Sequence, residues 1–264
     1  MIKNWLLLYY NHWYLIKEFL IKEIKGRFAG SFAGRLWLVI NPISQILVYI
    51  FLFSIVLKIK LQAHLSGTNS FVIYLLSGMF PWLAFSESIM RSIGILLENA
   101  SIIQKVAFPV NILPFVAQTQ SFFTNGIGFI LFLFYLAFKG FLSINWIYIP
   151  LIIVAFYLFT LGFSLILSAI SVYVKDLQHI LNIFLFVWFY GTPIIYPEYM
   201  IPKKMEFILY ANPVYPFIYN LRCAMLNTSV DYTFVYLMLF WTIFILIIGM
   251  KTFDVLKDGF SDVI

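Results

Sequence analysis

WIYIPLIIVAFYLFTLGFSLILSAISVYV, residues 146–174, runs for 29 positions without one Asp, Glu, Lys or Arg. A helix needs about 20 apolar residues to cross a hydrocarbon core, so this run is long enough to span a bilayer. Comparable runs flank it. The first covers 36–57, despite Asn41-Pro42 near its start. The second covers 71–91, with its apolar core over 71–86. The third covers 115–138, inside a stretch with no charge between Lys105 and Lys139. The fifth covers 180–196 and the sixth 232–250. Of the 264 residues, 63% are hydrophobic and 11% charged, and the mean hydropathy is +0.96. Soluble domains carry about a quarter charged residues. Backbone polar groups in lipid must be satisfied within the segment. The expected fold is therefore an all-α membrane protein with six transmembrane helices, its transmembrane domain covering 36–264. No remaining stretch is long enough for a second folded domain.

Residues 1–35 read differently. Trp5, Leu8, Tyr9, Trp13, Ile16, Leu20, Ile24 and Phe28 recur mostly at three- and four-residue steps, with Lys17, Glu18, Lys22, Glu23 and Lys25 between them. This predicts an amphipathic helix in the membrane interface, serving as an anchor or as a docking element. The short apolar run from Trp5 to Tyr10, followed by Asn11, His12 and Lys17, does not resemble a signal peptide. Gly26, Gly30 and Gly34 fit either close helix packing or a flexible elbow. Segment 197–231 is apolar but broken by Asn212-Pro213 and Tyr215-Pro216. It reads as two short helices or a re-entrant hairpin. With both termini on one side, that side carries Lys3, Lys17, Lys22, Lys25, Arg27, Arg35, Arg91, Lys105, Lys175, Lys251 and Lys257. The other carries Lys58, Lys60, Lys139, Lys203, Lys204 and Arg222. The bias puts both termini in the cytoplasm.

No catalytic set stands out. His12, His64 and His179 are isolated, no metal-ligand spacing occurs, and there is no G-x-x-x-x-G-K-[ST] phosphate loop. The single cysteine, Cys223, says nothing about redox compartment. The basic residues report membrane topology, and no basic cluster on a soluble module suggests nucleic acid. Acidic residues are nearly absent from the predicted spans, which weighs against ion-coupled transport. Polar stripes occur at Asn41, Ser44/Gln45 and Tyr49, at Gln118, Ser121 and Asn125, and at Ser164, Ser168 and Ser171. Each reads as interhelical hydrogen bonding or, more sharply, as a channel wall. The sixth predicted span has almost no polar residue and is expected to face lipid. Aromatic faces suit the C–H faces of sugars; Trp188, Phe189, Tyr190 and Tyr196 are the candidates for such a path.

Several segments together resemble the permeases of ABC-2 type exporters. Lys25-Gly26-Arg27 through Arg35-Leu36-Trp37, followed by Asn41-Pro42, resembles the approach to their first span, and Ser77-Gly78-Met79-Phe80-Pro81-Trp82 their second. Val172-Tyr173-Val174-Lys175-Asp176-Leu177 resembles their turn between spans four and five. Gly191 through Pro197, with Asn212-Pro213 and Arg222, resembles their outer gate region. The order is kept over most of the chain, and the similarity is greatest to the branch exporting O-antigen, capsule and teichoic acid. Lys175 stands where Arg is usual, which removes a bidentate fork; Ala33 stands where Leu is usual.

The resemblance implies a half-transporter of the bacterial inner membrane. Two copies would form the channel, walled mainly by spans one and five. Two separate ATP-binding cassette subunits would hold ATP and Mg, so this chain itself carries no cofactor and is not an enzyme. The cargo would be a lipid-linked polysaccharide. A coupling helix is expected over 98–108, with Ile102, Ile103, Val106 and Ala107 apolar and Glu98, Gln104 and Lys105 polar, ending at Phe108. Channel-lining candidates are Asn41, Gln45, Tyr49, Trp188, Tyr190 and Tyr196. Gate candidates are Thr192, Pro193, Pro197, Asn212, Pro213 and Arg222. The rival readings are an ABC-2 exporter of a drug or lipid, and a membrane-embedded glycosyltransferase, which would need interfacial acids or histidines in a cluster.

Overall fold

The amphipathic N-terminal segment folds as two helices, α1 (Ile2–Asn11) and α2 (Trp13–Arg27), bent at His12. The structure is a computed structural model that describes residues 2–27, 30–105 and 108–263. The bend lets both helices press an apolar side onto the bundle. Trp5 meets Phe253 edge-on, Tyr9 stacks on Phe115, and Ile16 is buried against Ile112 and Val116. Leu6, Leu7, Tyr10, Trp13 and Tyr14 stay exposed, as an interfacial helix requires. After α2 the chain turns with positive φ at Gly30 and Gly34, a conformation that favours glycine. A Cβ at Gly26, Gly30 or Gly34 would meet nothing within 4 Å. These glycines form an elbow and not a packing seam.

α3 (Trp37–Tyr49) tolerates Pro42 in its interior and opens into a π-helical stretch over Ile50–Val56. A four-residue helix, α4 (Ala63–Ser66), leads to α5 (Phe71–Glu98). α5 is buried along most of its length, as a helix surrounded by others is, with its charges Glu87, Arg91 and Glu98 confined to its C-terminal half. α6 (Ala100–Lys105) connects it to α7 (Ile112–Phe138). A 3₁₀ turn over Ile144–Tyr148 starts α8 (Ile149–Ser171), and α9 (Leu177–Gly191) follows. Two short helices come next, α10 (Phe207–Ala211) and α11 (Tyr215–Leu226). α12 (Tyr232–Leu256) and the short α13 (Phe260–Val263) close the chain. Trp5 Nε1 donates to Asp254 at 3.0 Å, so both ends of the chain lie at one end of the bundle.

Among the described residues, five helical stretches are long and apolar enough to cross a membrane: Gly34–Val56, Phe71–Glu98, Ile112–Phe138, Ile144–Ser171 and Tyr232–Gly259. The sixth expected span is the shorter α9, of 15 residues, or roughly 22 Å at 1.5 Å per residue. It starts directly after Asp176 and stops at Gly191, where Pro193 prevents continuation. Segment 197–231 takes the form of two short helices joined through Asn212-Pro213.

The second helix runs on to Glu98, beyond the expected span of 71–91, and α12 to Leu256, beyond 232–250, so each helix is longer than the stretch expected to lie in the membrane. One expectation is corrected. α12 does not simply face lipid: Phe234, Met238, Thr242, Ile245, Gly249 and Phe253 are buried, while Tyr236, Phe240 and Ile243 are exposed. The buried side packs along α8 at a glycine crossing. A Cβ on Gly162 would lie 2.5 Å from the Ile245 carbonyl oxygen, and one on Gly249 2.3 Å from the Gly162 carbonyl oxygen. Small residues let membrane helices approach this closely.

Candidate functional site

Arg222 of α11 is buried inside the bundle. Its guanidinium donates five hydrogen bonds. Nη1 reaches the Pro193 carbonyl at 2.6 Å and the Tyr74 hydroxyl at 2.8 Å. Nη2 reaches the carbonyls of Ile194 at 3.1 Å and Tyr74 at 3.3 Å, and Nε the Ser77 hydroxyl at 3.1 Å. The planar fork also lies 3.7 Å from the Tyr74 ring centroid, a cation–π arrangement suited to arginine. Gly78 makes room for it, since a Cβ there would sit 2.6 Å from Nη2. The charge is satisfied by neutral acceptors on α5 and on the turn after α9, tying three elements together.

Asn212 forms a second knot beside it. Its carbonyl oxygen accepts the Trp188 indole N–H at 3.0 Å and the Val214 N–H at 3.0 Å. Its amide donates to the Thr192 hydroxyl at 2.8 Å, and Thr192 in turn donates to the Trp188 carbonyl. Tyr215 donates to the Glu198 carboxylate. Burial, and then that neighbouring carboxylate, push the Tyr215 phenol far above its usual pKa, so the phenol stays the donor. The gate candidates Thr192, Pro193, Asn212 and Arg222 thus come together in one buried network, with Pro197 and Pro213 at the adjoining turns. Tyr74, Ser77 and Glu198 belong to it as well. Their residue types are ordinary in a membrane helix or loop, and only the fold places them beside Arg222.

The channel candidates fall in two places. Asn41 and Gln45 line a cavity of about 180 Å³ that also holds Arg27, Glu87, Thr124 and Asn125. Gln45 and Tyr49 line an adjoining groove of about 480 Å³ between α3, α5 and α9. Trp188 turns inward, packing on Trp82, Phe85 and Phe163. Its neighbour Phe189 lines the groove. Tyr190 is exposed, and Tyr196 donates to its carbonyl. The other polar stripes are used for packing: Ser171 donates to the Ile93 carbonyl of α5 at 2.8 Å, and Gln118 to the Tyr157 carbonyl at 2.6 Å. Asn125 of these lines a cavity.

Glu87 lies inside the expected second span, just beyond its apolar core, and is not among the expected site residues. Its carboxylate pairs with Arg27 and accepts from the Asn125 amide at 2.9 Å. One turn further, Arg91 bridges Glu23 of α2 at 2.6 Å and Glu98 at 2.8 Å. The continuous, proline-free run from Leu83 to Glu98 was the available signal that these charges sit on one helix. α2 is thereby clamped to α5 beside a cavity of about 450 Å³ lined by Lys22, Glu23, Arg27, Arg91 and Gln120.

The expected coupling segment 98–108 is not one helix. Glu98 ends α5, Asn99 separates it from α6, and α6 is described over Ala100–Lys105. Val106 and Ala107 lie outside the described residues. Ile103 and Phe108 pack inward, Phe108 against Phe19, whereas Ser101 and Gln104 are exposed and Ile102 is half-buried. Among the described residues, no group of His, Cys, Asp or Glu could hold a metal ion.

The profile of the "ABC-2 type transporter" family matches residues 14–226. The chain belongs to this family. It is therefore a multi-pass membrane protein of a transporter family and a permease-type subunit. Among ABC-2 relatives, an "O-antigen export system permease protein RfbA" of Klebsiella pneumoniae is 29% identical over 97% of this chain and 98% of its own length. One of the same name from Myxococcus xanthus is 32% identical over 71% of this chain and 70% of its own. The "Polysialic acid transport protein KpsM" of Escherichia coli is 23% identical over 75% of this chain and 76% of its own.

Proposed function

We propose that this chain is the membrane subunit of an ATP-driven exporter that moves a lipid-linked, O-antigen-like polysaccharide across the bacterial inner membrane, both termini in the cytoplasm. The observation that carries this reading is the near full-length match to an O-antigen export permease. Two copies form the channel, and α3 and α9 wall it. Their largely exposed faces and the polar, aromatic groove between them support this assignment. ATP and Mg bind to two separate cassette subunits, in keeping with a sequence that has no phosphate loop. α6 docks into those subunits through Ile102, Ser101 and Gln104. The buried Arg222 and Asn212 knots hold α10 and α11 as an outer gate. A drug or lipid exporter is the competing reading within the family, and a glycosyltransferase lacks the clustered acids it would need.

The test is co-expression with the cognate ATP-binding subunit, extraction in mild detergent, and measurement of stoichiometry and ATPase activity. A complex of two plus two that hydrolyses ATP is expected. A chain that purifies alone and binds no ATPase under several extraction conditions contradicts the half-transporter reading.

A further inference from the structure

The groove between α3, α5 and α9 is lined by Gln45, Tyr49, Ser86, Asn182 and aromatic rings, and by one charged residue, Glu87. No Lys or Arg contributes to it among the described residues. The cation that pairs with Glu87, Arg27, approaches from the neighbouring cavity and does not line the groove. Asn125 holds the carboxylate from a third helix at 2.9 Å. The groove therefore offers amide and hydroxyl partners, ring faces and one fixed carboxylate. Those are the partners that hydroxyls and C–H faces of sugars use. A carboxylate on the cargo would have to leave water for a partly apolar cleft whose lining holds no cation and whose one lining charge is a carboxylate, with Arg27 already engaged behind it. Selectivity built on an unfavourable contact of this kind is a general route to discrimination.

We propose that this groove binds an uncharged glycan and that Glu87 is its specificity-determining residue, acting against acidic sugars. The proposal rests on the polysaccharide-export reading above and separates an uncharged cargo from an acidic polymer such as polysialic acid.

The test uses the complete complex of this chain with its ATP-binding subunit in nanodiscs. Binding is titrated with two probes of equal length, uncharged glucan oligosaccharides and oligosialic acids. The wild type is expected to favour the uncharged probe by about tenfold, with the gap narrowing as salt rises. Glu87→Gln shrinks the ratio. Arg27→Gln leaves the carboxylate without its partner and widens it. Asn182→Lys, at an exposed position of α9, places a cation in the groove without touching the ion pair and shifts the preference toward the acidic probe. An ion pair that only holds α2 in place predicts equal loss of both probes and an unchanged ratio in Glu87→Gln and Arg27→Gln, and that result overturns the proposal. Equal or tighter wild-type binding of the acidic probe overturns it too, while leaving the export reading intact. Failure of the active wild-type complex to bind either probe overturns the export reading itself.

Discussion

Arg222 shows how much one side chain can hold in a membrane protein. Its five donors meet three carbonyls and two hydroxyls, so truncation strands several buried acceptors at once. Arg222→Ala is expected to cost about 2–4 kcal/mol, read as a lower unfolding temperature of the protein in nanodiscs. Arg222→Lys keeps the charge, loses the fork, and should recover only part of that loss; full recovery would mean that charge alone matters. Arg222 and Asn212, with their partners Thr192 and Pro193, were visible in the sequence through a resemblance, but the acceptors on α5 were not identified as such. Tyr74 and Ser77 precede them by more than a hundred residues, and nothing local marks them as acceptors. Glu87 falls within the expected second span, but its partners Arg27 and Asn125, which let a carboxylate remain in the helix, lie on other helices and are not marked in the sequence.

The helices were legible where composition alone decides them. Charge-free runs located the long helices, while their ends followed from tertiary contacts. α5 keeps Arg91 because Glu23 and Glu98 bracket it, and α12 extends because Phe253 and Phe260 pack beneath Trp5 and Tyr173. The α8–α12 crossing was invisible, since Gly162 and Gly249 lie far apart in sequence. Gly162→Val should force the backbones apart and destabilise the fold by about 1–3 kcal/mol, measured by the same thermal unfolding. At α6 the two isoleucines separate two roles. Ile103→Asp places a charge against the inward cluster around Phe108 and should lower thermal stability. Ile102→Asp should leave the unfolding temperature close to wild type and uncouple ATP hydrolysis from export. Retained full coupling in that variant would remove α6 from the docking surface.

As a whole molecule the chain is asymmetric in what it covers. α5 is enclosed, while α3 and α9 present broad exposed faces flanking a polar groove. Under the proposed two-copy reading, such faces would meet lipid on one side and a second copy on the other, and pairing would complete the groove. The terminal end carries the clamped α2 and the short α6, next to each other; the opposite end carries the Arg222 and Asn212 knots. Glu98, Arg91 and Glu23 link the end of α5 beside α6 to α2, the route by which the proposed docking at α6 would reach α2, and the groove lies between those ends. The central claim is that this arrangement passes a glycan when ATP is hydrolysed beside it. The most direct measurement is transport of a radiolabelled lipid-linked oligosaccharide in inside-out proteoliposomes containing this chain and its ATP-binding subunit. The account predicts ATP-dependent accumulation in the lumen that disappears when the ATP-binding subunit carries an inactivating Walker substitution. Accumulation that proceeds equally without ATP, or none while the same vesicles move a small hydrophobic drug, would contradict it.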